Sequence, residues 1–235
     1  MEDRHRTGMV RRLPAPLWGR LRGICSGTRV LDPREVMTRA GEPLHLSTLL
    51  LDGLMARHKR GGGERQMVAL QVPGDFVDLH GLPLGALDHD VAAVGRAEVA
   101  LFEHGAIEAL MAEDAEQARE LWALTMIDAA IHRHWTFRMG SLRAMAGMAN
   151  FLSELQLRLT LAGRTEGSRF PLPLTQAELG DICGISAVHV NRVLRDLREA
   201  GLCTLQGSTV EVHDLAGLNA MGRFEPDYLF LPWEG

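Results

Sequence analysis

One segment, Thr175–Leu202 (TQAELGDICGISAVHVNRVLRDLREAGL), restricts the fold more than any other stretch of the 235 residues. It reads as two short helices joined by a tight turn. Leu179 and Cys183 put an apolar stripe on the first helix. Gly180 lets the two helices cross closely, and Gly184 lets the chain turn where the first helix ends. Ile185 plugs the turn and Ser186 is a suitable N-cap for the second helix. Val190, Val193, Leu194 and Leu197 recur at helical spacing and form that helix's buried side. Ala187, Val188, His189, Asn191, Arg192 and Arg195 are left for its outer and leading surfaces, where a recognition helix meets base edges and phosphates. An ordinary helical hairpin with a solvated charged face shares this spacing. The next residues separate the two readings: Leu202–Leu205 and Thr209–Val212 are strand-like runs around Gln206-Gly207-Ser208. A β-hairpin directly after such a helix pair makes a winged helix-turn-helix, so DNA binding is expected.

The formal net charge is −5, which runs against phosphate binding, but the relevant charge is local. Between Arg143 and Leu205 seven arginines face six acidic residues, a balance of 7 − 6 = +1, so the acidic surplus lies elsewhere. No apolar run approaches the ~20 residues of a membrane span. The opening MEDRHRTGMVRRLPAP has charges without an apolar core behind them, which excludes a secretory signal. Cys25, Cys183 and Cys203 are too few and scattered for a disulfide framework and fit a reducing cytoplasm.

Three parts follow along the chain. Residues 1–112 read as a small β-barrel or jelly roll whose first ~15 residues are flexible. Leu44–Ala56 is strand-prone, Lys59–Arg65 with Gly61-Gly62-Gly63 forms a flexible hairpin tip, and Gln66–Val72 resumes the strand. After the turn Pro73-Gly74-Asp75, Phe76–Leu79 and Val91–Phe102 read as further strands. Residues 113–140 read as a dimerisation helix, from about Ala115 to Met139, and a hinge, with Leu121, Leu124, Asp128, Ile131 and Trp135 at a 3-4-3-4 spacing that suits a seam between two subunits. About 25 helical residues span about 37 Å, more than a small barrel covers, which favours dimerisation over packing on the chain's own barrel. Gly140-Ser141 then breaks that helix, and residues 141–235 form the DNA-binding domain.

This order resembles the Crp–Fnr family of bacterial transcription regulators over about Leu44–Met221. The carriers are LLLDGLMARHKRGGGERQMVALQVPGDF, similar to the central strands and Pro-Gly-Asp-Phe turn of the family's cyclic-nucleotide-type barrel, and the helix-turn-helix itself. The resemblance implies an α+β fold: N-terminal cyclic-nucleotide-binding-like barrel, long dimerisation helix, C-terminal winged helix-turn-helix. It implies a cytoplasmic homodimer on a palindromic double-stranded operator, with RNA polymerase as a further partner. Thr175, Gln176 and Ser186 match positions that touch phosphate. Val188, Asn191 and Arg192 match those that face bases, and Arg192 sits on the family's arginine, which can read guanine bidentately. His189 and Arg195 complete the expected DNA-binding set.

The departures narrow the signal. Leu79 stands where a cyclic-nucleotide site needs a glutamate, and His89-Asp90 stands where an arginine pair cradles the phosphate. Asp90 would repel that phosphate, so cyclic AMP or GMP is not expected. Cys25 alone in the sensor half does not support an iron–sulfur cluster. Leu79, His80, His89 and Asp90 mark the expected effector pocket. His80 and His89 flank a turn and are the histidines that could meet on a metal or haem iron; no cofactor and no metal ligands are assigned. Val188 replaces a glutamate frequent in relatives and favours apolar contact, such as with a thymine methyl. His132-x-His134 on a helix points to different faces. Gly23-Ile24-Cys25-Ser26-Gly27 reads as a Gly-rich turn rather than a nucleophile elbow, and no phosphate-binding loop, dinucleotide fingerprint or HExxH occurs. No enzymatic activity is expected. The alternative is a ligand- or partner-binding protein of the same architecture that has lost DNA reading; the presence of Thr175, Ser186, Asn191 and Arg192 favours the regulator.

Overall fold

The computed structural model describes residues 1–61 and 64–231. The chain forms two compact units, Met1–Ala129 and Ala130–Phe230, each taken by itself below.

The first unit starts with helix α1 (Ala15–Ile24) and continues through β1 (Cys25–Leu31), β2 (Val36–Thr38), β3 (Leu46–Asp52), β4 (Met55–Gly61), β5 (Glu64–Gln71), β6 (Asp90–Ala93) and β7 (Ala97–Glu103). These make two antiparallel sheets, ordered β1-β7-β3 and β2-β6-β4-β5. Between them lies a core that includes Leu31, Leu50, Met55, Val77, Val91 and Val99. Helix α2 (His104–Glu113) leads into α3 (Ala115–Ser141), within which the division between the units falls.

Several expectations change here. Leu44–Ala56 is not one strand: a turn at Gly53 splits it, and β3 and β4 join different sheets. Gly53 has φ +82, and a Cβ there would lie 2.3 Å from Arg96 O, so the sharp corner requires glycine. The β4–β5 hairpin forms as expected, but Gly62 and Gly63 of its tip lie outside the described residues. Val91–Phe102 divides into β6 and β7, and Phe76–Leu79 makes a single bridge, Leu49 to Phe76, before a short 3-10 turn. Gly23–Gly27 is the end of α1 and the start of β1, not a turn.

The first 15 residues are not a loose tail. Met9, Val10 and Leu13 are buried, Val10 N donates to Gly74 O at 3.2 Å, and Trp18 Nε1 donates to Asp3 Oδ1 at 3.0 Å. Three apolar residues among arginines were enough to anchor the segment over the Pro73-Gly74 turn.

The second unit holds the end of α3, then α4 (Ala144–Leu161), β8 (Arg169–Pro171), α5 (Gln176–Cys183), α6 (Ala187–Glu199), β9 (Cys203–Gln206), β10 (Thr209–Val212) and α7 (Leu215–Gly222). The break after α3 falls at Leu142-Arg143, two residues later than Gly140-Ser141 suggests. α4 packs against α5, α6 and α7. Its contact with α7 is close: a Cβ on Gly222 would lie 2.4 Å from Asn150 N. Neither α7 nor β8, the third strand of the β8-β10-β9 sheet, has a sequence pattern strong enough to announce it.

Candidate nucleic-acid interface

α5 begins with a reciprocal capping box. Glu178 N donates to Thr175 Oγ1 at 3.2 Å, and Thr175 N donates to Glu178 Oε2 at 2.8 Å. The helix ends at Gly184, left-handed at φ 65. Gly180 faces the turn so tightly that an added Cβ would lie 2.4 Å from Ile185 O, which explains glycine inside a helix. Ser186 then caps α6, accepting from His189 N at 3.3 Å.

α6 is sharply two-faced. Val190, Val193 and Leu197 are buried, whereas Val188 (82% exposed), Asn191, Arg192 and Arg195 lie on the surface. Leu194 and Ile185 are only half-buried. His189 is half-buried and its Nε2 accepts from Arg192 Nη2 at 2.8 Å, which braces the arginine along the helix. Arg195 has loose acidic neighbours, Asp196 at 3.7 Å and Glu199 at 3.9 Å; exposed pairs of this kind hold a side chain weakly. Gln176, exposed at the start of α5, exchanges hydrogen bonds with Asn191. The helix pair therefore brings Thr175, Gln176, Ser186, Val188, Asn191 and Arg192 to the surface together.

The wing is the β9–β10 hairpin, turning at Gly207 (φ 62) with Thr209 opposite Gln206. Arg169 on β8 is held by both carboxylate oxygens of Glu211, at 3.0 and 3.1 Å. The tip itself, Gln206-Gly207-Ser208, is polar and uncharged.

In the first unit, His80 and His89 do meet: their rings stack with centroids 5.4 Å apart. No group of three or more His, Cys, Asp or Glu is arranged to hold a metal ion among the described residues. His89 Nδ1 lies 2.8 Å from Asp88 Oδ1. Leu79 is buried. Burial pushes Asp90 up, but a hydrogen bond from Ala40 N (3.0 Å) and the Arg60 guanidinium (3.1 Å) overcome it and keep the carboxyl below its usual range.

The sequence reading missed two buried polar groups. Arg57, 2% exposed, donates to Val77 O from Nε (2.9 Å) and Nη2 (2.7 Å), and its Nη1 donates to Asp128 Oδ2 at 2.7 Å. Glu154 accepts from Arg138, Arg158 and Tyr228.

The family profile of the Crp-like helix-turn-helix domain matches residues 148–221. The transcriptional activator protein FnrL of Cereibacter sphaeroides is 30% identical over 160 residues, covering 66% of this chain and 64% of FnrL. The chain thus aligns with just under two thirds of that relative's length. The nitrogen fixation regulation protein FixK of Bradyrhizobium diazoefficiens is 25% identical over 173 residues, 73% of this chain and 72% of FixK. The solved structure of FixK2 from Bradyrhizobium japonicum shares the fold at a TM-score of 0.75 and 24% identity, covering 83% of this chain and 96% of that one. Residues 148–221 are thus similar to the Crp-like helix-turn-helix domain, and the chain shares its fold with FixK2.

The stripe expected as a seam on the long helix lies on a face that the chain itself buries. Leu121, Leu124, Ile131 and Trp135 are buried within the single chain, and Asp128 is engaged by Arg57. Trp135, 3% exposed, packs edge-on against Phe151 at 6.3 Å. The 3-4-3-4 spacing was real, but its face is covered by the protomer itself. The opposite face of α3 carries Trp122 (62% exposed), Met126 and Phe137, all large, apolar and open.

Proposed function

We propose that the protein is a homodimeric, sequence-specific DNA-binding transcription regulator that lays α6 in the major groove. The observation that carries this is the division of α6: Val190, Val193 and Leu197 are buried, and Val188, Asn191 and Arg192 are exposed together at its N-terminal half. The resemblance puts Thr175, Gln176 and Ser186, at the two helix starts, on the phosphate side of the same surface, with His189 and Arg195 beside it. Relatives named as transcriptional activators support the reading, among them FnrL and FnrA. Arg192→Ala tests it in a band-shift titration against a selected duplex: affinity falls by about 1–3 kcal/mol and guanine preference is lost at one position per half-site. No DNA selection by the wild type, or an unchanged mutant, would refute it.

Two-fold symmetry then places half-sites about one helical turn apart in a palindromic operator. The dimer contact belongs to the face of α3 bearing Trp122, Met126 and Phe137, whose open apolar area is what a second copy covers. Trp122→Glu yields monomers in ultracentrifugation; a mutant dimer as tight as wild type would place the interface elsewhere. A cyclic nucleotide is not the expected signal, because Asp90 stands where the resemblance places the cyclic phosphate and its carboxyl is already engaged by Ala40 N and Arg60. A regulator of this kind works in the cytoplasm with RNA polymerase. None of the helices among the described residues is long and apolar enough to cross a membrane.

A further inference from the structure

We infer that Gln176 and Asn191 act as one composite reading head, and that this head selects adenine at one position of each operator half-site. The inference rests on the DNA-reading role proposed above and assigns Gln176 to base choice rather than to phosphate.

The two amides close a ring. Gln176 Nε2 donates to Asn191 Oδ1 at 2.5 Å, and Asn191 Nδ2 donates to Gln176 Oε1 at 2.6 Å. They are fifteen residues apart in sequence and belong to different helices. Their meeting depends on the close crossing that Gly180 permits. Both side chains are exposed, so nothing in the protein forces this pairing by burial.

An amide carries two N–H groups and two acceptor lone pairs, and a closed pair uses one of each from each partner. Half of the capacity therefore remains, arranged along two edges. On one edge the second N–H of Asn191 is near Ala187 O, with N and O 3.4 Å apart. The other edge presents the second N–H of Gln176 beside the second lone pair of Asn191 Oδ1. That is a donor beside an acceptor.

In the major groove adenine offers N7 as acceptor beside N6–H as donor. Guanine offers two acceptors, thymine an acceptor beside a methyl, and cytosine a donor without an adjacent acceptor of its own. Adenine is the single base that complements the open edge. The pairing also fixes the plane of Asn191 before DNA arrives, which removes an ordering cost that a lone asparagine would meet on binding. Gln176 thus both supplies the donor of the open edge and positions Asn191.

The test starts by selecting duplexes from a randomised pool with the full-length wild type. Competition binding then compares the four bases at each selected position for the wild type, Gln176→Ala and Asn191→Ala, across a salt series, with thermal melts to confirm that both variants fold. The wild type is expected to prefer adenine at one position per half-site, by roughly 5- to 150-fold. Both variants should flatten that same position. Gln176→Ala should leave the slope of log affinity against log salt unchanged. The inference is overturned if Gln176→Ala keeps the preference and loses about one unit of slope, which is the behaviour of a phosphate contact. It is also overturned if the position flattened by Asn191→Ala prefers a G·C pair. A wild type that selects no sequence removes the DNA-reading role itself; one that selects sites normally, with Gln176→Ala unchanged, removes the composite head alone.

Discussion

Asp78 in the first unit and Glu154 in the second are both fully buried carboxyl groups, and they shift in opposite directions. Burial drives Asp78 up to about 7. It accepts from Thr48 N at 2.6 Å, but the nearby Arg57 gives its own N–H groups to Val77 O and Asp128. Burial pushes Glu154 up as well, yet Arg138, Arg158 and the Tyr228 hydroxyl together hold it below its usual range. Equal burial therefore does not decide charge; cations paired directly with the group do. The second unit holds a buried carboxyl below its usual range, while the first contains one raised to about 7.

The strongest way to break this contrast is Arg138→Ala. It removes one cation from Glu154, leaves Arg158 and Tyr228, and turns the site toward the condition of Asp78. Stripping one partner from a buried ion pair costs about 4 kcal/mol, read as a loss in denaturant unfolding at pH 7. Arg138 also lies over Trp135, 4.7 Å from the ring centroid, which adds to the loss. A loss under about 1 kcal/mol would mean that the remaining donors suffice without this cation.

Asp78→Asn comes next and sharpens the comparison through pH. A carboxyl whose folded pKa is raised binds more protons in the folded than in the unfolded state. It therefore stabilises the fold at low pH and loses that stabilisation as pH rises from its ordinary 3.8 toward about 7. Between pH 5 and pH 8 the wild type should lose about 3 kcal/mol that the Asp78→Asn variant keeps, since about two units of slope apply at 1.36 kcal/mol each. His5, His104 and His134, lowered chiefly by burial, push the other way below 6.5, so the quantity to read is the difference between the two proteins. Parallel pH profiles would show that Asp78 stays charged throughout.

The legibility of these features in sequence follows their range. The helix-turn-helix was readable because its determinants are local: Thr175 with Glu178, Gly180 facing Ile185, Gly184 and Ser186 all act within a dozen residues. The order of β-rich domain, long helix and winged helix-turn-helix was readable from punctuation and periodicity. The faces of α3 were not. Apolar residues at Leu121, Leu124, Ile131 and Trp135 and again at Trp122, Met126 and Phe137 make two stripes, and spacing alone does not say which one the chain covers itself. Arg57 meets Asp128 across 71 positions, and Tyr228 meets Glu154 across 74, distances at which no local pattern survives. Gln176 and Asn191 were each placed at the surface of the helix pair, but as separate contacts, because their hydrogen bonds depend on how two helices cross.

Tyr228→Phe removes the smallest piece of the contrast and tests it most cleanly. The variant keeps the ring, which stacks on His134 at 3.8 Å, and deletes only the hydroxyl that donates to Glu154 Oε2 at 2.8 Å. A hydrogen bond to a charged acceptor contributes about 2 kcal/mol, so stability at pH 7 should fall by about that amount. Glu154 has a lowered folded pKa, and its stabilisation is present above the ordinary 4.5 and lost as pH falls through the folded value. Removing one donor raises that folded value. The variant should therefore begin its acid-induced loss at higher pH than the wild type, and the gap between the two proteins should narrow once Glu154 is protonated in both. A constant gap at every pH would trace the loss to packing around the ring and would leave the two arginines as the whole reason Glu154 stays charged.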